Sequence, residues 1–306
     1  MRLSPRLSMD AYSRAMTVRV ALIQLDCSTA EPVAHRVTRT LSLIDSTAPG
    51  VDVVVLPELW HVGAFDVDAA REHAQSIDGP LVQALGGLAA EHAVWLHAGS
   101  ICEIADDGQH YNTSLLFGPD GRLIVTYRKI HLFGFEGGET VLMSGGEELV
   151  VVDTSLGATG LATCYDLRFP ELFRALTEGG ATLVILTSGW PTPRIEHWDV
   201  LTRARAIENQ MWVIACNEVG SQPGIELGGR SVVIDPKGVV VAQAGTAEEV
   251  LVVEVDPDAS AACIVGAFTE ALVGPIGPTT RNVRDKERLV ECIRAFCLRA
   301  VGGGSE

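Results

Sequence analysis

The 306-residue sequence predicts a single α/β domain made of two similar halves, each with a mixed sheet. Two observations carry that expectation. Short apolar runs that end abruptly alternate with amphipathic runs of helical length, as strands interleaved with helices do. One hairpin pattern also occurs twice. Ser114-x4-Pro119-x-Gly121 is echoed by Ser231-x4-Pro236-x-Gly238, each set among β-branched and aliphatic residues.

The elements follow in order. Residues 1–15 show no apolar periodicity and are expected to form a disordered extension; Met1 and Met16 are both candidate starts of translation. A strand over 18–25 precedes a helix around 31–48, and a buried strand over 51–57 stops at Glu58. A helix around 80–92 leads to a strand near 94–103. Residues 113–117 and 122–129 form a hairpin about a Gly-Pro-Asp-Gly turn. From Phe133 to Glu148 the chain is rich in glycine and acidic residues, which predicts a long loop, and such loops in compact domains are usually functional. A strand over 158–164, a helix at about 170–179 and a buried strand over 181–186 come next. Ser188 to Pro193 reads as a rigid loop. Residues 195–209 fit an amphipathic helix with Trp198, Leu201, Ala204 and Ile207 or Glu208 near one stripe. A strand over 211–217, the second hairpin over 230–244 and a strand near 249–255 complete a domain spanning 16–256. Residues 257–306 form a tail, with a candidate helix over 284–300 and a fraying Gly302-Gly303-Gly304 end.

An apolar content of 47% is ample for a core. The net charge of -16 argues against nucleic acid and anionic membranes as partners. No run has the length and purity of a membrane span, and the first fifteen residues lack the apolar centre of a secretory signal. The seven cysteines (27, 102, 164, 216, 263, 292 and 297) are odd in number and form no Cys-x-x-Cys pair. That argues against a disulfide framework or a zinc ribbon and for a reducing, cytoplasmic setting. The histidines are scattered without metal-ligand spacing, so neither a metal nor another cofactor is expected.

Cys164 is the most informative residue. An apolar strand ends at its thiol and turns at once toward a helix start, Tyr165-Asp166-Leu167-Arg168-Phe169-Pro170. Backbone N–H groups at such an elbow can stabilise a thiolate or an oxyanion. Two other apolar segments end in charge, at Glu58 and at Lys129. A thiol is a poor nucleophile until deprotonated, a carboxylate can take its proton, and a cation can hold the oxygen of a tetrahedral intermediate. Taken singly, the thiol reads as core, Glu58 as a helix-start charge and Lys129 as a solvated strand end. No Gly-x-Ser-x-Gly elbow supports a serine hydrolase.

The local sequences reverse those bland readings. LPELW around Glu58, YRKIHLF around Lys129 and TCYDLRFPELFRAL around Cys164 resemble the nitrilase superfamily of carbon–nitrogen hydrolases. HWDVLTRARAIENQMWVIACN and GGRSVVIDPKGVVVA extend the resemblance across roughly residues 17–256. It implies a four-layer α-β-β-α sandwich, usually dimerised. It also implies a catalytic Glu58, Lys129 and Cys164, with Glu139 as a further family glutamate. Gly145 stands where the family usually has proline, and Glu136 offers an alternative register for Glu139. The Cys-Tyr-Asp-Leu-Arg-Phe-Pro-Glu run resembles the ω-amidase and deaminated-glutathione-amidase branch, whose substrates are small amides with a distal carboxylate. Alternatives are an N-carbamoyl or nitrile hydrolase using the same residues, or a binding protein that has lost turnover.

Around this set, the Tyr165 N–H is expected at the oxyanion, and Trp60, Phe133 and Trp190 as pocket walls. Arg168 is read as a carboxylate clamp or as the structural partner of a buried acid, with Arg194 and Arg128 as further clamp candidates. The tail lacks the family's usual closing segment. A cofactor-free homodimer acting on a small-molecule amide is the expectation.

Overall fold

The computed structural model describes residues 17–134 and 138–260. The extension over 1–15, Glu136 and the candidate helix over 284–300 lie outside them.

Two six-stranded sheets share one plan. In the first, β1 (Val18–Gln24), β2 (Val53–Val55) and β3 (Trp95–Ile104) run parallel, and the hairpin β4 (His110–Phe117) with β5 (Leu123–Arg128) extends one edge. In the second, β7 (Gly157–Thr163), β8 (Leu183–Ser188) and β9 (Trp212–Asn217) run parallel, extended by the hairpin β12 (Val232–Ile234) with β13 (Val240–Gln243). The opposite edge of each sheet takes one antiparallel strand, β14 (Glu249–Val255) on β1 and β6 (Val151–Thr154) on β7. The repeated hairpin of the sequence is thus a repeated position in the fold. The two serines of the echo cross between halves. Ser114 Oγ lies 3.1 Å from Thr163 Oγ1 at the end of β7, and Ser231 Oγ donates to Gln24 Oε1 at the end of β1 at 2.9 Å.

Strand alternation builds the layers. Val53 and Val55 point between the sheets, where they meet Leu161, Ile185 and Ile214 of the second sheet. Val54 and Leu56 point outward against Ile44 of α1 (Val33–Thr47) and Leu85 of α3 (Pro80–His92). On the far side, Val184 and Leu186 meet Phe173 of α4 (Pro170–Glu178) and Trp198 of α5 (Ile195–Asn209). The order helix, sheet, sheet, helix is the expected four-layer sandwich in a single α/β domain. Pro80 and Pro170 occupy the first helical turn, where a missing N–H costs nothing.

Several elements differ from the sequence expectation. The strand at 51–57 is only three residues long, because Pro57 and Glu58 leave the ladder for the site. A short helix, α2 (Val67–Glu72), follows it. Strand β6 and a separate hairpin, β10 (Val219–Gln222) with β11 (Ile225–Gly228), were not foreseen. The stripe of α5 also differs. Its buried residues are Trp198, Thr202, Arg205, Ala206 and Asn209, while Ile207 is 51% exposed.

Candidate active site

Cys164 follows β7 with a φ of 47°, a left-handed conformation that costs a non-glycine residue about 1–2 kcal/mol. Buried polar anchors hold it there. Asp166 accepts from Thr163 N at 2.9 Å, from His131 N at 3.0 Å and from the Tyr127 hydroxyl at 2.7 Å; His131 Nδ1 lies 2.7 Å from it. Arg205, on the buried face of α5, donates twice to the carbonyl of Leu167, at 3.1 and 2.7 Å. The elbow is therefore tied both to the segment after β5 and to α5.

Glu58 is delivered by a second strained turn. Leu59 has a φ of 40°, and its N–H donates to Ser100 Oγ at 2.9 Å. Gly99 lies against this turn, and a Cβ there would stand 1.9 Å from the Pro57 carbonyl oxygen, so only glycine fits. Lys129 comes directly after β5, its own N–H donating to the Asn112 carbonyl at 2.8 Å. Glu139 opens a short 3-10 turn, Glu139–Val141, inside the long loop, and is 5% exposed.

These side chains converge. Lys129 Nζ donates to Glu58 Oε1 at 2.7 Å and to Glu139 Oε2 at 2.6 Å, all three groups being buried. Glu58 Oε2 accepts from Gly189 N at 2.8 Å, and Glu139 Oε2 accepts from Phe133 N at 2.9 Å. Burial works against the Lys129 charge, but Glu139 and Glu58 outweigh it and hold the ammonium well above its usual range. Burial raises the Glu139 carboxyl, while Lys129 draws it down. The Cys164 thiol is pushed well up by burial and by Glu58, against the pull of Lys129 and the Ser188 hydroxyl. At neutral pH the resting sulfur is a thiol, and a carboxylate sits in its surroundings to take the proton.

The space beside the sulfur is a narrow cleft lined by Phe65, Phe133, Tyr165, Arg168, Trp190 and Arg194. Phe133, Tyr165, Arg168 and Trp190 therefore stand where pocket residues were expected. Trp60 does not. It is fully buried in the core under α1 and α3, with Nε1 donating to the Ala98 carbonyl at 2.9 Å. Arg168 is not the partner of a buried acid, because Tyr127, His131 and Thr163 already satisfy Asp166. Its guanidinium instead lies 5.0 Å from the Trp190 ring centroid and 3.1 Å from His197 Nδ1. Arg194 lies 5.5 Å from the Phe133 ring centroid. Arg128 is removed from the clamp candidates, since its guanidinium is committed to Glu103 at 2.9 and 2.6 Å and to the face of Tyr111.

Asn112, Asp166, Arg205 and Phe65 were not singled out in the sequence. Asp166 stands within the Cys164 motif and carries an N-cap signal three residues after Thr163. Asn112 has no local signal.

Two parallel-cored sheets back to back, with the thiol and the Lys129 cluster at the strand ends, are the architecture of nitrilase-type hydrolases. The chain belongs to the carbon–nitrogen hydrolase family, matching it over residues 19–264. It is a hydrolase of carbon–nitrogen bonds other than peptide bonds. It is 41% identical over 239 residues to a 2-oxoglutaramate amidase of Paenarthrobacter nicotinovorans, covering 76% of this chain and 81% of that protein. A 2-oxoglutaramate amidase of Bacillus subtilis is 37% identical, covering 79% of this chain and 92% of that protein. Among solved structures, Saccharomyces cerevisiae Nit3, a member of branch 10 of the nitrilase superfamily, superposes with a TM-score of 0.74. It is 33% identical, covering 87% of this chain and 97% of that one.

Proposed function

We propose that the chain is a cofactor-free thiol amidase of the ω-amidase kind, which hydrolyses a small amide bearing a distal carboxylate to the acid and ammonia. The observation that carries the reading is the gathering of Glu58, Lys129 and Glu139 into one buried hydrogen-bonded cluster in the surroundings of Cys164.

In this mechanism Glu58 takes the thiol proton as sulfur attacks the amide carbonyl carbon. The carbonyl π pair becomes an oxyanion, held by Lys129 Nζ and the Tyr165 N–H. The C–N bond then breaks, the proton on Glu58 passes to nitrogen, and ammonia leaves a thioester. Water, deprotonated by Glu58, adds to the thioester carbon. Collapse of that adduct releases the carboxylic acid and returns the proton to sulfur. Glu139 keeps Lys129 charged and in place. Oxyanion donors of this kind contribute roughly 3 kcal/mol each.

The substrate class rests on relatives named as 2-oxoglutaramate amidases and on the two arginines of the cleft. Arg168 and Arg194 are cations without a carboxylate partner among the described residues, and they face a slot otherwise walled by aromatic rings. They are the proposed seat of the distal carboxylate. A cytoplasmic location is proposed, as is a catalytic body spanning 16–256 that does not need residues 1–15. A homodimer through the outer face of α5 is part of the same reading. Val200, 65% exposed, and Ile207 lie there, and Ile207 borders Gly238 of the second hairpin.

The test is ammonia release from 2-oxoglutaramate and from an uncharged amide of equal length. The charged substrate is expected to have a specificity constant about ten- to a hundredfold higher, the worth of one charge-assisted contact. Cys164→Ala should lose at least about three decades in rate while remaining folded. Equal constants would exclude the substrate class, and a folded, active Cys164→Ala would exclude the thiol mechanism.

A further inference from the structure

Asn112 sits on β4 opposite Cys102 of β3, at the floor of the cluster. It is fully buried. Its Nδ2 donates to Glu58 Oε1 at 2.8 Å and to Glu139 Oε1 at 2.5 Å. Its main-chain carbonyl meanwhile accepts the N–H of Lys129. One residue thus touches all three members of the cluster, both acids through Nδ2 and the lysine through its main-chain carbonyl.

The amide orientation is informative. Oδ1 is buried without a hydrogen-bond partner among the described residues. An unsatisfied buried carbonyl is costly. Turning the amide over would relieve nothing, because it would set Oδ1 against two carboxylate oxygens. The orphaned oxygen is the cost of presenting both N–H bonds to the two acids. Those acids need them. Glu58 and Glu139 share a single ammonium, so further donors are needed for both to stand as carboxylates in a buried site.

Resting on the mechanism proposed above, we propose that Asn112 is a positioning residue. It clamps Glu58 and Glu139 on either side of Lys129 Nζ by donating both of its amide hydrogens, so that two carboxylates persist beside one ammonium. Without the clamp, one carboxyl takes up a proton and turns away from Nζ. Either the base or the lysine's second anchor is then lost. Among the described residues, the ionisable groups facing the pair are Lys129, the thiols of Cys164 and Cys102, and Glu218 behind Glu58.

The experiment compares the pH dependence of kcat/KM for the wild type, Asn112→Leu and Asn112→Ser. The leucine is close in size and donates nothing; the serine keeps one donor. In Asn112→Leu the acid limb is expected to rise by about one to two pH units, the equivalent of one or two lost charged hydrogen bonds, while the alkaline limb stays. Asn112→Ser should show a smaller shift of the same sign, and it carries the test if the leucine variant does not fold. Should turnover be too slow to follow, the pH dependence of Cys164 alkylation by iodoacetamide gives the same reading. A folded variant with the acid limb of the wild type overturns the clamp. Cys164→Ala, assayed alongside, separates the two ideas. If it keeps ammonia release, the thiol mechanism fails. If it is inactive while the acid limb is unmoved in the Asn112 variants, only the clamp fails.

Discussion

Glu218 is fully buried just after β9, with Gln222 Nε2 donating to its Oε2 at 3.0 Å. Burial pushes its carboxyl up to about 8; Glu58 adds to this, and the Cys27 thiol, Arg36 and Gln222 oppose it. The folded protein therefore holds this proton more tightly than the unfolded chain, whose carboxyl titrates near 4.5. The stabilisation is fully present below about pH 4.5 and is lost as the pH rises through 8, at about 1.4 kcal/mol per pH unit in that window. Glu218→Gln keeps the shape without the titration. Its urea midpoint should exceed that of the wild type at pH 8.5 and approach it at pH 5. Parallel pH profiles would refute the assignment. Single residues were also where the sequence spoke most clearly, and most unevenly. Cys164, Glu58 and Lys129 each end an apolar run, so chemistry and strand end coincide in the text. Asn112 lies inside a strand, 54 residues from Glu58 and 27 from Glu139. Only the pairing of β4 with its neighbours gives it a role, and no local pattern encodes that. Trp60 misled for the converse reason, since adjacency to Glu58 in sequence does not survive a turn that sends the two side chains apart.

The turn after β8 is the element that most directly shapes the cluster. Gly189 donates to Glu58, and a Cβ on it would stand 2.4 Å from the Ala64 Cβ and 2.9 Å from Glu218 Oε2. Gly189→Ala should push the turn off Glu58, at the roughly 1–3 kcal/mol typical of overpacking, and lower kcat/KM more than tenfold. Adding Ala64→Gly removes the nearest atom and should recover part of the loss. Wild-type kinetics in Gly189→Ala would show that the turn does not position the carboxylate. Longer elements were legible because their apolar periodicity is local: β1, α1, α3, β8 and β9 stand close to the expected bounds. The hairpin β10–β11 was not, because glycines at 220, 224 and 228 erase its alternation. It exists through distant contacts instead: Phe65 N donates to Gln222 Oε1, and Gly228 N donates to the Trp190 carbonyl. The stripe of α5 was misread because the helix buries polar side chains. Thr202 satisfies its hydroxyl on the Trp198 carbonyl, and Arg205 spends its guanidinium on Leu167 and Glu208.

The described residues leave Val200 and Ile207 exposed on α5, with Ile207 bordering Gly238 of the second hairpin. Sedimentation should give a mass twice the 32.6 kDa of the chain, and Val200→Asp with Ile207→Asp should reduce it to one. A monomeric wild type, or a variant that still pairs, would remove this face from the interface. The two-half plan was visible in the repeated Ser-x4-Pro-x-Gly pattern. The crossing of the halves was not, since it depends on which strand ends meet. One pairing also bears on how the protein is made. β1 emerges from the ribosome well ahead of its antiparallel neighbour β14, which pairs in register from Val18↔Val255 to Gln24↔Glu249 and follows more than two hundred residues later. At 5–20 residues per second that interval is about 10–50 s. Throughout elongation the nascent chain carries an unpaired strand edge, a template for unwanted association. The thiol of Cys164 is translated within that interval, before the sheet that anchors Glu58 has closed.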